Sequence, residues 1–139
     1  MKKFANRLTK RCLCQVAKAM QAYSRDTDLL VRFGGEEFVV LMDNATPEAA
    51  KSAAERIRRC VESLQIPAAD VLAGSVVTVS VGVAVLSPKV GLAPAELLSQ
   101  ADRALYEAKR QGRNCIRLAN SNDVHSGGDA GDGIGIPAS

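Results

Sequence analysis

Helices interleaved with strands, in the order α-β-β-α-β-α-β, predict an α/β (α+β) sandwich with helices packed on a sheet. Three observations carry that expectation. Two apolar runs are joined by Gly34-Gly35, valines alternate with small residues from Val77 to Val85, and three stretches repeat apolar residues at helical spacing.

The first helix is expected over roughly Leu8 to Tyr23, with Leu13, Val16, Ala17, Met20 and Tyr23 on its apolar face. Leu29, Leu30, Val31 and Phe33 form a strand that runs into Gly34-Gly35, and Phe38 to Met42 form a second. A two-residue turn needs positive φ, which glycine adopts at little steric cost, so this is a β-hairpin with Glu36 and Glu37 directly after the turn. Thr46 as N-cap and Pro47 in the first helical position start the next helix. Its buried face is expected to be Ala50, Ala53, Ala54, Ile57, Val61 and Leu64, followed by a loop from Ile66 to Gly74.

Between Val77 and Val85 the odd positions are all valine, while Thr78, Ser80, Gly82 and Ala84 make the opposite face small. A strand with one bulky and one small face lets another element come close on the small side. A last helix is expected from about Pro94 to Gln111, burying Leu97, Leu98, Ala101, Leu105 and Ala108, with Gly112 in the C′ position. Cys115 to Leu118 is a short final strand. After Asn120 the composition turns to Ser, Gly, Asp and Asn, which predicts a disordered tail.

A chain of 139 residues is one domain, long enough to bury a core without staples. Its 47% hydrophobic and 24% charged residues are those of an ordinary soluble globular protein. A net charge of +3 is too mild to point to nucleic acid, but suits local binding of an anionic nucleotide. Cys12, Cys14, Cys60 and Cys115 lack metal-ligand spacing, so reduced thiols in a cytoplasmic setting are expected. His125 is the one histidine and lies in the polar tail, which disfavours histidine-based acid–base or metal chemistry. No apolar run reaches the length of a membrane span, so no membrane contact is expected from this segment, although it could be the cytoplasmic part of a larger receptor.

Three clusters carry chemistry. Gly34 and Gly35 remove side chains so that a ligand can approach backbone amides, and the adjacent carboxylates of Glu36 and Glu37 invite a hard divalent cation. A solvated turn has the same composition. Arg25-Asp26-Thr27-Asp28, with five residues between Asp28 and Gly34, sets an arginine fork beside a carboxylate; a solvated Arg–Asp pair is the plainer alternative. Lys109 and Arg113 are a point charge and a planar fork suited to phosphate, and they also complement the dipole at a helix C-terminus.

Arg32-Phe33-Gly34-Gly35-Glu36-Glu37-Phe38 resembles the signature of the GGDEF family, the diguanylate cyclases. Thr78 to Ala84 and the segment from Leu105 to Asn114, with Asp102 and Tyr106 beside it, resemble the family's later motifs in the correct order, and the resemblance runs from about Cys12 to Leu118. It implies a central, mainly antiparallel sheet flanked by helices, of the nucleotidyl-cyclase or palm type, and a reaction that condenses two GTP into cyclic di-GMP. Glu36 is then a ligand of Mg²⁺ (or Mn²⁺), Glu37 helps hold the metal or its waters, Gly34 and Gly35 admit the nucleotide, and Lys109 and Arg113 contact its phosphates. Catalysis in the family implies a homodimer. Arg25 and Asp28 match its inhibitory site for cyclic di-GMP, and Arg56 either adds a second arginine to that site or is an ordinary exposed helical residue.

The family also implies a first strand with an Asp-x-Asp segment, then an Asn and an Asp that read guanine. Residues 1–11 hold no carboxylate, and Lys10 stands where the guanine-reading aspartate is expected. The expected organisation is therefore a divergent basic segment (1–11), a partial GGDEF domain lacking the first strand (12–118) and a tail (119–139). A truncated chain of this kind is expected to be a weak or inactive cyclase; the alternative is a non-catalytic cyclic di-GMP-binding module acting through Arg25 and Asp28.

Overall fold

The structure, a computed structural model, describes residues 10–68, 74–86, 91, 93–120 and the backbone of 136–137. Its elements are α1 (Lys10–Tyr23), β1 (Leu29–Gly34), β2 (Glu37–Leu41), α2 (Pro47–Ser63), β3 (Val81–Val83), α3 (Pro94–Arg110), β4 (Ile116–Leu118) and β5 (Ile136–Pro137). The expected order is present, and the described part of the first helix starts within the stretch expected to be a separate basic segment. Met1 to Thr9, and most of the expected tail, lie outside the described residues.

The strands form two hydrogen-bonded groups among the described residues. β1, β2 and β5 make an antiparallel sheet in that order, while β3 and β4 pair in parallel. Two of the three pairings are antiparallel, in line with the expected sheet type. β5 was not anticipated: it pairs Ile136 with Phe38 and Pro137 with Glu37, covering the β2 edge away from β1. The strand expected over Val77–Val85 is a ladder only at Val81–Val83, because β4, its parallel partner, is three residues long. The preceding loop is tighter than expected, with Val77 N–H donating to the Ile66 carbonyl at 2.7 Å and Ala68 N–H to that of Ser75 at 3.0 Å.

Side-chain alternation separates two packing faces of the valine segment. Val77, Val79, Val81 and Val83 enter one core with Cys12, Val16 and Met20 of α1, Ala50, Ala54, Ile57 and Val61 of α2, and Phe38 of β2. On the other face, Gly82 meets α3. A β-carbon at Gly82 would collide with the Ala101 carbonyl and the Leu105 amide and lie 2.9 Å from Leu105 Cα. Only glycine lets the helix backbone come so near, and α3 is the crossover that joins the parallel strands β3 and β4.

Thr46 caps α2 by accepting from Ala49 N–H at 3.1 Å, with Pro47 next, as expected. Four expected core positions differ. Leu64 is the exposed C-cap of α2, because the helix ends before its apolar face returns there. On α3 the buried set is Gln100, Ala104, Leu105 and Ala108, with Leu97, Leu98 and Ala101 only partly covered, since the helix turns the Ala104–Leu105–Ala108 face to the sheet.

Substituting Gly82 by alanine is expected to lower unfolding stability by about 2–3 kcal/mol, the scale of overpacking a rigid core. Urea denaturation checks this, and a loss below about 0.5 kcal/mol, the range of neutral surface changes, would contradict the contact.

Candidate functional site

The hairpin register places the tip with a correction to the expected turn. Arg32 pairs with Phe38 and Gly34 with Glu37, with a bulge between Arg32 and Gly34. The turn residues are Gly35 and Glu36, so Glu36 sits inside the turn rather than after it. Gly34 (φ 148°) and Gly35 (φ 48°) both lie where L side chains are strained, and a β-carbon at either would meet nothing within 4 Å. The glycines therefore serve the turn's backbone and leave open space above it. Arg32, which sequence reasoning did not single out, locks the tip by donating from Nε (2.9 Å) and Nη2 (2.5 Å) to the Gly35 carbonyl.

Glu36, the next residue, is in an unusual state. Its Oε2 is buried with no hydrogen-bond partner among the described residues, although the residue as a whole is partly accessible. Burial pushes its pKa up; Lys109 and Arg113 pull it down, and Glu37 raises it further. Asp102 of α3 is also raised, first by burial and then by Glu37, with Lys109 opposing. The hairpin tip and the C-terminal half of α3 thus share one electrostatic neighbourhood, in which Glu37, Lys109 and Arg113 act on Glu36. Asp102 joins them. Its signal in the sequence was its place seven residues before Lys109, on the same helical face.

A metal fits one part of this arrangement. Among the described residues no group of three or more His, Cys, Asp or Glu side chains is placed to hold an ion. Mg²⁺, however, is commonly bound through one or two carboxylates together with substrate phosphates and waters. An unpartnered, buried carboxylate oxygen beside two cations suits that mode rather than an all-protein cage.

The second cluster lies at the other end of β1. Asp28 accepts from Arg25 N–H through Oδ2 (2.8 Å) and from Arg25 Nε through Oδ1 (3.2 Å), and Arg25 Nη2 donates to the Asp43 carbonyl at 3.0 Å. The Asp28 side chain is 3% exposed and that of Arg25 50%. Asp28 therefore orients the arginine, while the half-exposed guanidinium reaches the surface. Arg56 is exposed on α2, and no interaction joins it to Arg25 or Asp28 among the described residues.

Comparison with known proteins gives a consistent picture. The model of the family described as diguanylate cyclase, GGDEF domain, matches residues 4–115, starting before Cys12. Diguanylate cyclase A of Treponema denticola is 38% identical over 109 residues, 78% of this chain and 28% of that protein. The active GGEEF domain of a diguanylate cyclase from Vibrio cholerae superposes with a TM-score of 0.68 at 30% identity, covering 79% of this chain and 67% of that one. The GGDEF domain of DgcB from Caulobacter crescentus, solved in complex with c-di-GMP, gives 0.68 at 27% identity, covering 86% and 72%. This chain spans only 28% of the Treponema protein's length. No helix among its described residues is long and apolar enough to cross a membrane.

The raised Glu36 pKa has a testable consequence. A carboxyl whose folded pKa lies above its unfolded one destabilises the fold when ionised. That cost is absent below the ordinary glutamate value of about 4.3 and complete once pH passes the folded value. Glu36→Gln is therefore expected to raise Tm at pH 7.5 without metal, with the difference from the native chain shrinking as pH falls towards 4. Calorimetric melts across that range check it, and a Gln variant less stable at pH 7.5 would contradict the burial of a charged carboxylate.

Proposed function

The chain belongs to the GGDEF domain family, and from that premise we propose that its hairpin site binds GTP as a divalent-metal complex, forming half of a diguanylate cyclase centre. The observation that carries this reading is the buried, unpartnered Glu36 Oε2 beside the cationic end of α3. Glu36 would hold Mg²⁺ (or Mn²⁺), with Glu37 supporting the ion or its waters. When bound, the ion neutralises charge developing on the phosphates. Lys109 and Arg113 take the phosphate oxygens, and the open space over Gly34 and Gly35 admits the nucleotide. Two copies facing each other would each present one GTP. The 3′-hydroxyl of each attacks the α-phosphate of the other, forming two phosphodiester bonds and releasing two pyrophosphates.

Synthesis by this chain is expected to be weak. Residues 1–11 supply no carboxylate for the second metal ligand that the family resemblance implies, and Lys10 replaces the guanine-reading acid. Calorimetry should find Mg²⁺-dependent GTP binding that Glu36→Ala and Lys109→Ala each weaken about tenfold, as loss of a charge-assisted contact implies. Incubation with GTP and Mg²⁺ should yield little cyclic di-GMP. Absence of metal-dependent GTP binding by the folded chain would remove the proposed substrate site, and abundant product would refute the expected weakness.

The Arg25 cluster favours a second reading, a module that binds cyclic di-GMP. Arg25 is held in place before any ligand arrives, with one end of its fork at the surface. Asp28 keeps it there, and Arg56 is available as a second donor. Binding of cyclic di-GMP, measured calorimetrically, should survive Glu36→Ala and be lost in Arg25→Ala. Equal loss in both variants would place the dinucleotide at the hairpin tip instead.

A further inference from the structure

The turn that carries Arg113 has a backbone that its own sequence does not favour. Gly112, Arg113 and Asn114 have φ of 111°, 65° and 46°, three successive residues in the left-handed region. Glycine adopts it freely and asparagine tolerates it, but for arginine it is a strained conformation. Within the turn, Arg113 N–H donates to the Ala108 carbonyl at 3.1 Å and Gly112 N–H to that of Lys109 at 3.4 Å.

A second restraint comes from α2. Arg58 donates from Nε and Nη2 to the two carboxylate oxygens of Glu55 (3.0 and 2.7 Å), and from Nη1 to Glu62 Oε2 (2.6 Å) and Asn114 Oδ1 (2.8 Å). Asn114 Nδ2 returns a bond to Glu62 Oε2 at 3.2 Å. Both ends of the Asn114 amide are therefore fixed to α2. Glu55, Arg58 and Glu62 lie three and four residues apart, so one face of α2 assembles the receptor for Asn114 by itself. The Arg58 side chain is 15% exposed, and four of its five N–H groups are already bonded. Flanked by two carboxylates, it is poorly placed to take a phosphate itself.

We propose that Arg58 is a positioning residue: by clamping Asn114 onto α2, it holds the left-handed turn that keeps the Arg113 guanidinium beside the hairpin site. The phosphate-binding role of Arg113 rests on the function proposed above. The clamp itself does not, and it acts between elements distant in sequence from Gly34 to Glu37.

Three variants test it: Arg58→Met, which keeps the apolar stem; Asn114→Gly, which keeps the turn's φ and leaves the Arg58–Glu55–Glu62 set intact; and Arg113→Ala. Amide exchange of Arg113 should accelerate about tenfold in Arg58→Met and in Asn114→Gly, with the β1–β2 amides unchanged. Affinity for GTP with Mg²⁺ should fall about tenfold in each, and adding Arg58→Met to Arg113→Ala should cost nothing more, since coupled residues are not additive. Unchanged Arg113 exchange, or additive losses in the double variant, would overturn the proposal. If Arg58→Met does not fold, Asn114→Gly decides alone. Should the native chain fail to bind GTP, the substrate reading falls, and the exchange measurement still decides the clamp.

Discussion

The close approach of α3 to Gly82 governs where the candidate site can form. β3 contributes only three ladder residues, yet its glycine lets a 17-residue helix rest against the strand backbone. Interiors are packed too densely to absorb an added methyl group there by local adjustment. Because a helix is stiff, displacement at Ala101 and Leu105 would be carried along its length to Lys109 and the turn beyond. Asp102, Lys109 and Arg113 share the hairpin's electrostatic neighbourhood because of a contact that contains no charged group.

The local signals of the fold were legible because they are written in short-range chemistry. Thr46-Pro47 announces a helix start, Gly112 a helix end, and Gly34-Gly35 a tight turn. The division of the valine segment into a bulky and a small face followed from period-two alternation, and both faces have the partners that alternation implies. Less legible was anything set by pairing between distant segments. The ladder length of β3 depends on β4, the burial of Gln100 and Ala104 depends on how α3 meets Gly82, and the attachment of β5 to β2 has no signal in the composition of the tail.

The candidate site divides in the same way. Glu36, Glu37, Lys109 and Arg113 were found as types at plausible positions, and their proximity came only with the fold. Arg32 was overlooked because its partner is a backbone carbonyl, which no side-chain pattern reveals. Arg58 carries no signal of its own in the sequence, where it stands among helical glutamates. What distinguishes it is Asn114, 56 residues away. The geometry also ties Asp28 to Arg25 through both carboxylate oxygens, with the Asp28 side chain almost fully buried.

The charge inventory constrains what such a site can bind. Glu36, Glu37 and Asp102 set three carboxylates against the two cations Lys109 and Arg113, a formal net charge of −1 when all are ionised. A bare triphosphate entering there would meet net repulsion, with burial weakening the solvent screening that otherwise softens it. On the proposed reading, a divalent cation would reverse the balance and supply a partner for the Glu36 oxygen, which ties nucleotide binding to metal binding. The Arg25 cluster has no such requirement. It lies at the start of β1 while Glu36 lies just past its end, about 20 Å apart for six extended residues. Each cluster is tied down locally, by Asp28 and Asp43 at one end and by Arg32 at the other. The β1–β2 ladder is the element that joins the two clusters, since it begins beside Arg25 and Asp28 and ends at the turn that carries Glu36.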